Sequence, residues 1–189
     1  DNHYVYQGRA WAWSSNGTGG GTVRAYMYGD STGALRVGTG GWNQRLKILS
    51  GGVVLIGNDT SQEVYGTNAV QVQGTSGPTS SLSLLRHGNS PYLVLGSSGG
   101  SALNAVTALS SGNRIGQITF AGADGTDINT HSASIAAYVD GSVSSNAVPG
   151  RLVFATSTGA SELERMRIDS TGRVLIGNFT DDIGDGTLQ

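Results

Sequence analysis

Along most of the chain, apolar and polar residues alternate with a period of two, in short segments of five to nine residues. In the first half the pattern covers "HYVYQ" (3–7), "RAWAW" (9–13), "TVRAYMY" (22–28), "ALRVG" (34–38), "RLKIL" (45–49), "VVLIG" (53–57), "AVQVQG" (69–74) and "LSLLR" (82–86). In the second half it covers "YLVLG" (92–96), "RIGQITFAG" (114–122), "ASIAAYV" (133–139), "RLVFAT" (151–156), "LERMRI" (163–168) and "RVLIG" (173–177). Each segment reads as a half-buried strand, and turn formers such as "NGTGGG", "GDSTG", "ADGTD" and "DSTG" separate them. A helical stripe is nearly absent. The best helical window, "SALNAVTALSSG" (101–112), is rich enough in β-branched residues to read equally as a short strand. The expected class is all-β.

Within individual strands the alternation assigns faces. Trp11 and Trp13 share one side of "RAWAW", with Ala10 and Ala12 on the other. In "VRAYMY", Val23, Ala25 and Met27 oppose Arg24, Tyr26 and Tyr28. Small or aliphatic residues thus back both aromatic rows, which suits either a packed layer or an exposed aromatic stripe.

One pattern occurs twice. "RLKILSGGVVLIGN" (45–58) and "RMRIDSTGRVLIGN" (165–178) align at an offset of 120 residues, ending in the same "VLIGN". In the second copy Asp169 and Ser170 are placed to bond the main chain ahead, and Gly172 to take a positive φ. Each copy is expected to be a β-hairpin that cannot bury its own apolar face and therefore needs neighbours. The repeat divides the chain into an aromatic-rich module (1–44), a hairpin and connector (45–78), a main β-module (79–164) and the second hairpin (165–189). The first copy runs on into "AVQVQG" while the second is followed by "TLQ", and the chain opens without Met; both suggest a piece of a longer or processed protein.

Composition sharpens this picture. Glycine supplies 31 of 189 residues and charged residues only 13%, against ordinary shares of about 7% and 25%. With 37% hydrophobic residues in alternating positions, the chain is a turn-rich β-protein rather than a disordered linker. A net charge of −2 without basic runs excludes an electrostatic bias toward nucleic acid or an anionic membrane. There is no apolar run of ~18 residues and no signal-peptide pattern at "DNHYVYQGRAWAW". Cysteine is absent, so stability rests on packing and strand pairing, within or between chains.

A resemblance emerges from the ordered elements "LVLG", G-x-I-x-F-x-G-ADGTD, A-x-I-A-A-x-VDG, PGRLVF-x-T and ERMRIDSTGRVLIGN. Together they span roughly Ser90 to Asn178, and this region resembles the distal part of bacteriophage tail fibres and related virion appendages. The first 45 residues match less well. The resemblance implies an elongated, glycine-rich, short-stranded β-fold, intertwined or side by side in a homotrimer, that helps a virion recognise its host surface. Many relatives end in an intramolecular chaperone that trimerises the fibre; none is identifiable here. Low charge, no disulfides and hairpins without a full core suit strands that interleave about a threefold axis.

Candidate chemistry is sparse. "GADGTDIN" brings the oxygen ligands Asp124, Asp127 and Asn129 into one loop, but without D-x-D-x-D-G spacing or a bidentate Glu, so a structural turn outweighs a metal site. Glu162 and Glu164 fall ~6.6 Å apart on one face of an extended chain, a separation compatible with glycoside hydrolysis. A solvated surface pair is the plainer account. His3, His87 and His131 are isolated, no G-x-S-x-G elbow occurs, and Arg165 and Arg167 suit ion pairs with Glu162 or Glu164. Stacking on sugars points instead to Tyr4, Tyr6, Trp11, Trp13, Tyr26, Tyr28 and Trp42 as receptor-binding candidates, with an N-terminal core as the competing use.

The expectation is a non-enzymatic virion tail-fibre segment, made without a signal peptide and needing no cofactor or metal. Its partners would be copies of itself, other tail proteins and a bacterial surface glycan or protein, with no nucleic acid and no membrane insertion. The rival expectations are a glycan-depolymerising tailspike and a purely architectural shaft.

Overall fold

The computed structural model describes residues 11–14, 23–41, 43–66, 68–159 and 161–177, with the main chain alone for residues 13, 14 and 23. They form two units, one within residues 1–91 and one within 92–189, each built on a single sheet. The first sheet contains β1 (Trp11–Ser14), β2 (Val23–Gly29), β3 (Leu35–Thr39), β4 (Gln44–Ile48), β5 (Val54–Ile56) and β6 (Val70–Val72) in chain order. Its neighbours are antiparallel except β5 and β6, which run parallel. The second contains β7 (Arg114–Gly122), β8 (Thr130–Val139), β9 (Gly150–Ser157), β10 (Glu162–Ile168) and β11 (Val174–Ile176), an antiparallel meander. Among the described residues a 3₁₀ turn at Gly77–Thr79 is the sole helical element. The protein is all-β.

The repeated pattern folds the same way twice. Leu46 faces Ile56 and Ile48 faces Val54 in β4–β5; Met166 faces Ile176 and Ile168 faces Val174 in β10–β11. Gly52 and Gly172, both at φ 86°, close their turns with N–H bonds to Leu49 O (2.8 Å) and Asp169 O (3.0 Å). A third example joins β2 to β3. There Asp30 begins the same "DSTG" turn as Asp169, and Gly33 N–H bonds Asp30 O at 3.1 Å.

In both repeats one arginine is extra. Gly38 faces Gln44 and Val37 faces Leu46, so Arg45 bulges from β4; Ala155 faces Glu164 and Phe154 faces Met166, so Arg165 bulges from β10. The bulge turns the alternation over by one residue. Arg45 Nε donates to Thr39 Oγ1 (3.2 Å) and Arg165 Nε to Thr156 Oγ1 (2.9 Å). Their carbonyls accept from Gly57 N–H (3.2 Å) and Gly177 N–H (3.0 Å).

With this register, one apolar row crosses every strand of each sheet. In the first, Trp11, Met27, Val37, Leu46, Ile56 and Val72 stand side by side. In the second, Ile118, Ile135, Phe154, Met166 and Ile176 do so. The buried residues lie on the opposite faces, or at their ends: Tyr26, Lys47, Leu55 and Gln71 in one unit, Ser134, Ala136, Val139 and Val153 in the other.

Three expected elements take another form. "LSLLR" and "YLVLG" have no regular secondary structure and join neither sheet, and "SALNAVTALSSG" is a turn followed by irregular chain rather than a helix or strand. Asn104 at φ 64° interrupts any helix there. The expected 1–44 and 45–78 segments share the first sheet, and the 79–164 and 165–189 segments share the second.

Gly38 is a position where the first sheet tolerates little change. It is buried opposite Tyr26, and a Cβ there would collide with the Tyr26 ring and the Asn43 carbonyl, whereas one at Gly51 meets nothing within 4 Å. Denaturant unfolding should show Gly38→Ala destabilised by about 1–3 kcal/mol and Gly51→Ala within about 0.5 kcal/mol of the parent. Equal effects would show that the Tyr26–Gly38 packing does not constrain the sheet.

Candidate functional site

Each sheet presents two unlike faces. On the apolar side Trp11 is 49% exposed, Ile118 46% and Ile176 65%, with Leu35, Ile56, Val70, Val72, Phe120, Leu163 and Val174 also open. Isolated exposed apolar residues are ordinary, but a continuous row of them marks a surface that something covers.

The opposite face of the first sheet is sealed by its own polar side chains. Parallel strands require a crossover, and residues 57–69 supply one between β5 and β6. Lys47 Nζ donates to Asp59 O on that crossover at 2.8 Å, and the Gln71 amide exchanges bonds with the Gln62 main chain at 3.0 and 2.9 Å. Leu55, between Lys47 and Gln71 in the register, is fully buried as a result. Beside it Arg36 bonds Asp30 Oδ2 (2.7 Å) and Gln44 Oε1 (2.6 Å), and the pairing raises the guanidinium's affinity for its proton.

In the second sheet the bulge at Arg165 puts Glu164 and Arg167 on one face despite their odd spacing. They form a two-point ion pair at 2.6 and 3.0 Å. Glu162 lies on the same face, with Oε2 3.4 Å from His131 Nδ1. Asp140 accepts from Arg151 Nη1 (3.0 Å) and Ser170 N–H (2.9 Å), tying the β8–β9 loop to the "DSTG" turn, while Arg151 lies over the Tyr138 ring at 5.2 Å. These groups are engaged in holding the sheet.

Of the aromatic candidates, Trp11 is exposed at the edge of the first sheet and ends its apolar row. Tyr26 is 3% exposed, its ring packed over Gly38, which takes it out of a receptor's reach; burial also raises its phenol pKa. Tyr28 is half-buried beside it, ring centroids 5.7 Å apart. Tyr4, Tyr6 and Trp42, and the side chain of Trp13, lie outside the described residues, as does His3. The structure adds two exposed rings that the sequence reading passed over, Tyr65 (52%) and Tyr92 (73%). Tyr65 carries a positive φ of 50°, a backbone signal that no alternation pattern reveals.

The oxygen-rich loop is knotted onto itself. Asp124 Oδ1 accepts from Thr126 and Asp127 N–H (2.8 and 3.1 Å) and Oδ2 from the Thr130 hydroxyl (3.2 Å), which lowers its pKa. Asp127 Oδ1 accepts from Asn129 N–H at 2.9 Å. Among the described residues no three His, Asp or Glu side chains are grouped to hold a metal ion. His87 is exposed. No helix among them is long and apolar enough to cross a membrane, which does not bear on crossing by strands.

The fold is similar to solved structures of a viral appendage. The carboxy-terminal domain of the bacteriophage T5 L-shaped tail fibre matches with a TM-score of 0.62 at 15% identity, over 93% of this chain and 82% of that one. The same domain with its intramolecular chaperone domain matches with the same TM-score and identity, over 94% of this chain and 56% of that longer one. At this identity the likeness establishes the fold, that of a tail-fibre domain. No protein-family model matches the chain, and no curated protein matches it by sequence.

The "DSTG" turns give a pH prediction. Asp30 and Asp169 each accept from a threonine hydroxyl two residues on, from two main-chain N–H groups and from an arginine, so both carboxyls sit well below the ordinary Asp value of 3.8. Asp124 and Asp140 are shifted the same way. A depressed carboxyl stabilises the fold fully above its unfolded pKa and loses that contribution as pH falls through its folded one. The thermal midpoint should therefore hold from about pH 7 to 5 and fall below about pH 4. Asp30→Asn combined with Asp169→Asn should lower it at pH 7, with the gap to the parent closing toward pH 2; a gap that stays constant would contradict this origin.

Proposed function

We propose that the chain is a non-enzymatic segment of a phage tail fibre, located on the virion, that assembles as a homotrimer and contributes to binding a bacterial surface glycan or protein. The observation that carries this reading is the apolar row crossing every strand of both sheets in a domain of tail-fibre fold. Few large side chains are buried by the chain itself: among the described residues, Leu55 and Val139 are the largest that are fully enclosed. Three copies bringing these faces together would supply the missing cover. Attachment would then gain from several weak contacts acting together, which multiplies avidity by 10²–10⁴ where geometry permits.

The engaged carboxylates favour a binding role over a depolymerase. Glu164 is clasped by Arg167 at two points, so it does not stand free as one member of a glycosidase pair with Glu162, whose Oε2 lies 3.4 Å from His131. Assaying host polysaccharide for new reducing ends checks this; release of sugar would establish the enzyme instead.

Two measurements test assembly and recognition. Sedimentation at micromolar concentration should give a trimer, and a well-folded monomer would refute it. Ile118→Asp and Ile56→Asp, both at open positions in a single chain, should keep the β circular-dichroism signal yet shift the protein to smaller species and cut whole-cell retention by at least ~10²-fold. Retention by no host cell or glycan of a confirmed trimer would leave an architectural shaft as the function.

A further inference from the structure

Among the described residues, the main chain from Ser81 to Ser98 forms no hydrogen bond to other main chain, and the Ser90 N–H alone is held, by the neighbouring Asn89 side chain at 2.7 Å. Along this irregular stretch Leu82, Leu85, Tyr92, Leu93 and Val94 are 65–80% exposed, and Leu84 and Leu95 about half. The ends are fixed within their own units. Ser80 N–H bonds Gly77 O, Gly99 N–H bonds Thr107 O, and Leu95 lies against Gly116, where an added Cβ would come within 2.7 Å of it.

Such a stretch has the chemistry of a strand without its sheet. "YLVL" is apolar on both sides, the pattern of a strand covered on two faces, and "LSLL" carries apolar residues on both faces as well. What seats on it must supply main-chain donors and acceptors together with apolar side chains. At typical side-chain areas, the seven open residues present on the order of 900 Å², close to the ~800 Å² that each partner contributes to a stable protein interface. Among the described residues the edge strands β6 and β7 likewise have no pairing on their outer sides, and they carry exposed Val70, Val72, Ile118 and Phe120. One chain therefore holds both an unpaired strand and unpaired edges. A head-to-tail contact repeated around a closed ring satisfies every strand and an edge at once.

We propose that residues 81–96 form an exchanged strand, which pairs with an edge of a neighbouring copy and is the segment that interlocks the assembly. The inference rests on the homotrimeric reading above and adds which residues cross between copies. An exchanged strand must leave its neighbour before subunits separate, so it governs the rate of dissociation.

Hydrogen exchange on the unaltered trimer tests this directly. Amides of Leu82–Leu95, of which only Ser90 has a hydrogen-bond partner among the described residues, should exchange at least ~100-fold more slowly than in a free peptide. They should lose that protection when the protein is dissociated. Trypsin provides a second readout at Arg86, the one basic residue that can be cut in the segment: the trimer should resist and the dissociated chain should not. Leu93→Asp should release monomers that retain the β signal of both sheets. Free-peptide exchange and rapid cleavage at Arg86 in an intact trimer would overturn the exchange while leaving the trimer in place. Protection persisting in a monomer would overturn it too, by showing that the chain covers its own segment. A parent protein that is monomeric at every concentration would remove the trimer itself.

Discussion

Arg45 and Arg165 each add a residue to a strand, and the facing of both sheets follows from them. A strand that alternated without interruption from Glu164 would carry Met166 to the same face as the glutamate. The bulge reverses this, so Met166 joins Phe154 and Ile135 while Glu164 meets Arg167 on the far side. The same displacement at Arg45 puts Leu46 beside Val37 and leaves Lys47 facing Arg36. In each case the arginine is held by the hydroxyl of a threonine on the preceding strand and by a glycine N–H after the hairpin, so the bulge is fastened on both sides. Bulges are used to redirect side chains, and of the register shifts in each sheet the one at the repeated arginine sorts an apolar face from a polar one.

The two faces then have different energetic fates. The polar face of the first sheet is finished by the chain itself: the Gln71 amide acts like a short piece of strand toward the Gln62 main chain, Lys47 reaches the crossover carbonyl, and Asp30 pairs with Arg36. In the second sheet Glu164 pairs with Arg167, while Glu162 Oε1 and Arg151 Nε are buried without a hydrogen-bond partner among the described residues. The apolar faces are left unfinished. Burying apolar surface contributes roughly 25 cal/mol per Å², and without disulfides no covalent bridge replaces that contribution. The half-open row from Trp11 to Val72 and its counterpart from Ile118 to Ile176 are therefore the part of the molecule that most depends on a partner.

How much of this was legible in the sequence varies with the range of the physics involved. Strand positions, the all-β class and the repeated hairpin follow from a period-two pattern and from turn residues, which are local, and eleven strands form where alternation indicates them. The faces of "VRAYMY" were readable for the same reason, since Met27 indeed stands with Trp11 and apart from Tyr26. The third "DSTG" turn was visible only as a turn former, because Ala34–Leu35–Arg36 replaces the apolar run that identifies the other two hairpins. The bulges were illegible: nothing in "RLKIL" or "RMRI" marks an arginine as extra until its partner strands are known. For "LSLLR" and "YLVLG" the alternation indicated strands and none forms, because pairing is a non-local event and neither finds a partner among the described residues. The weakest inference concerned the aromatics, where composition recorded their density but burial decided their use.

That last point narrows where recognition resides. An aromatic ring serves a receptor only if assembly leaves it open, and the register tells which rings assembly would close. Trp11 shares its row with Met27 and Val37, so any partner that covers those residues covers the indole as well. Tyr92 belongs to the unpaired stretch and would be enclosed with Leu93 and Val94. Tyr26 is already enclosed by its own sheet. Tyr65 differs, because it stands on the β5–β6 crossover outside both apolar rows, and Tyr28 lies on the polar face beside Arg36 and Asp30. The hairpins that recur, β4–β5 and β10–β11, each close one apolar row, whereas the crossover after β5 closes the polar face of the first sheet.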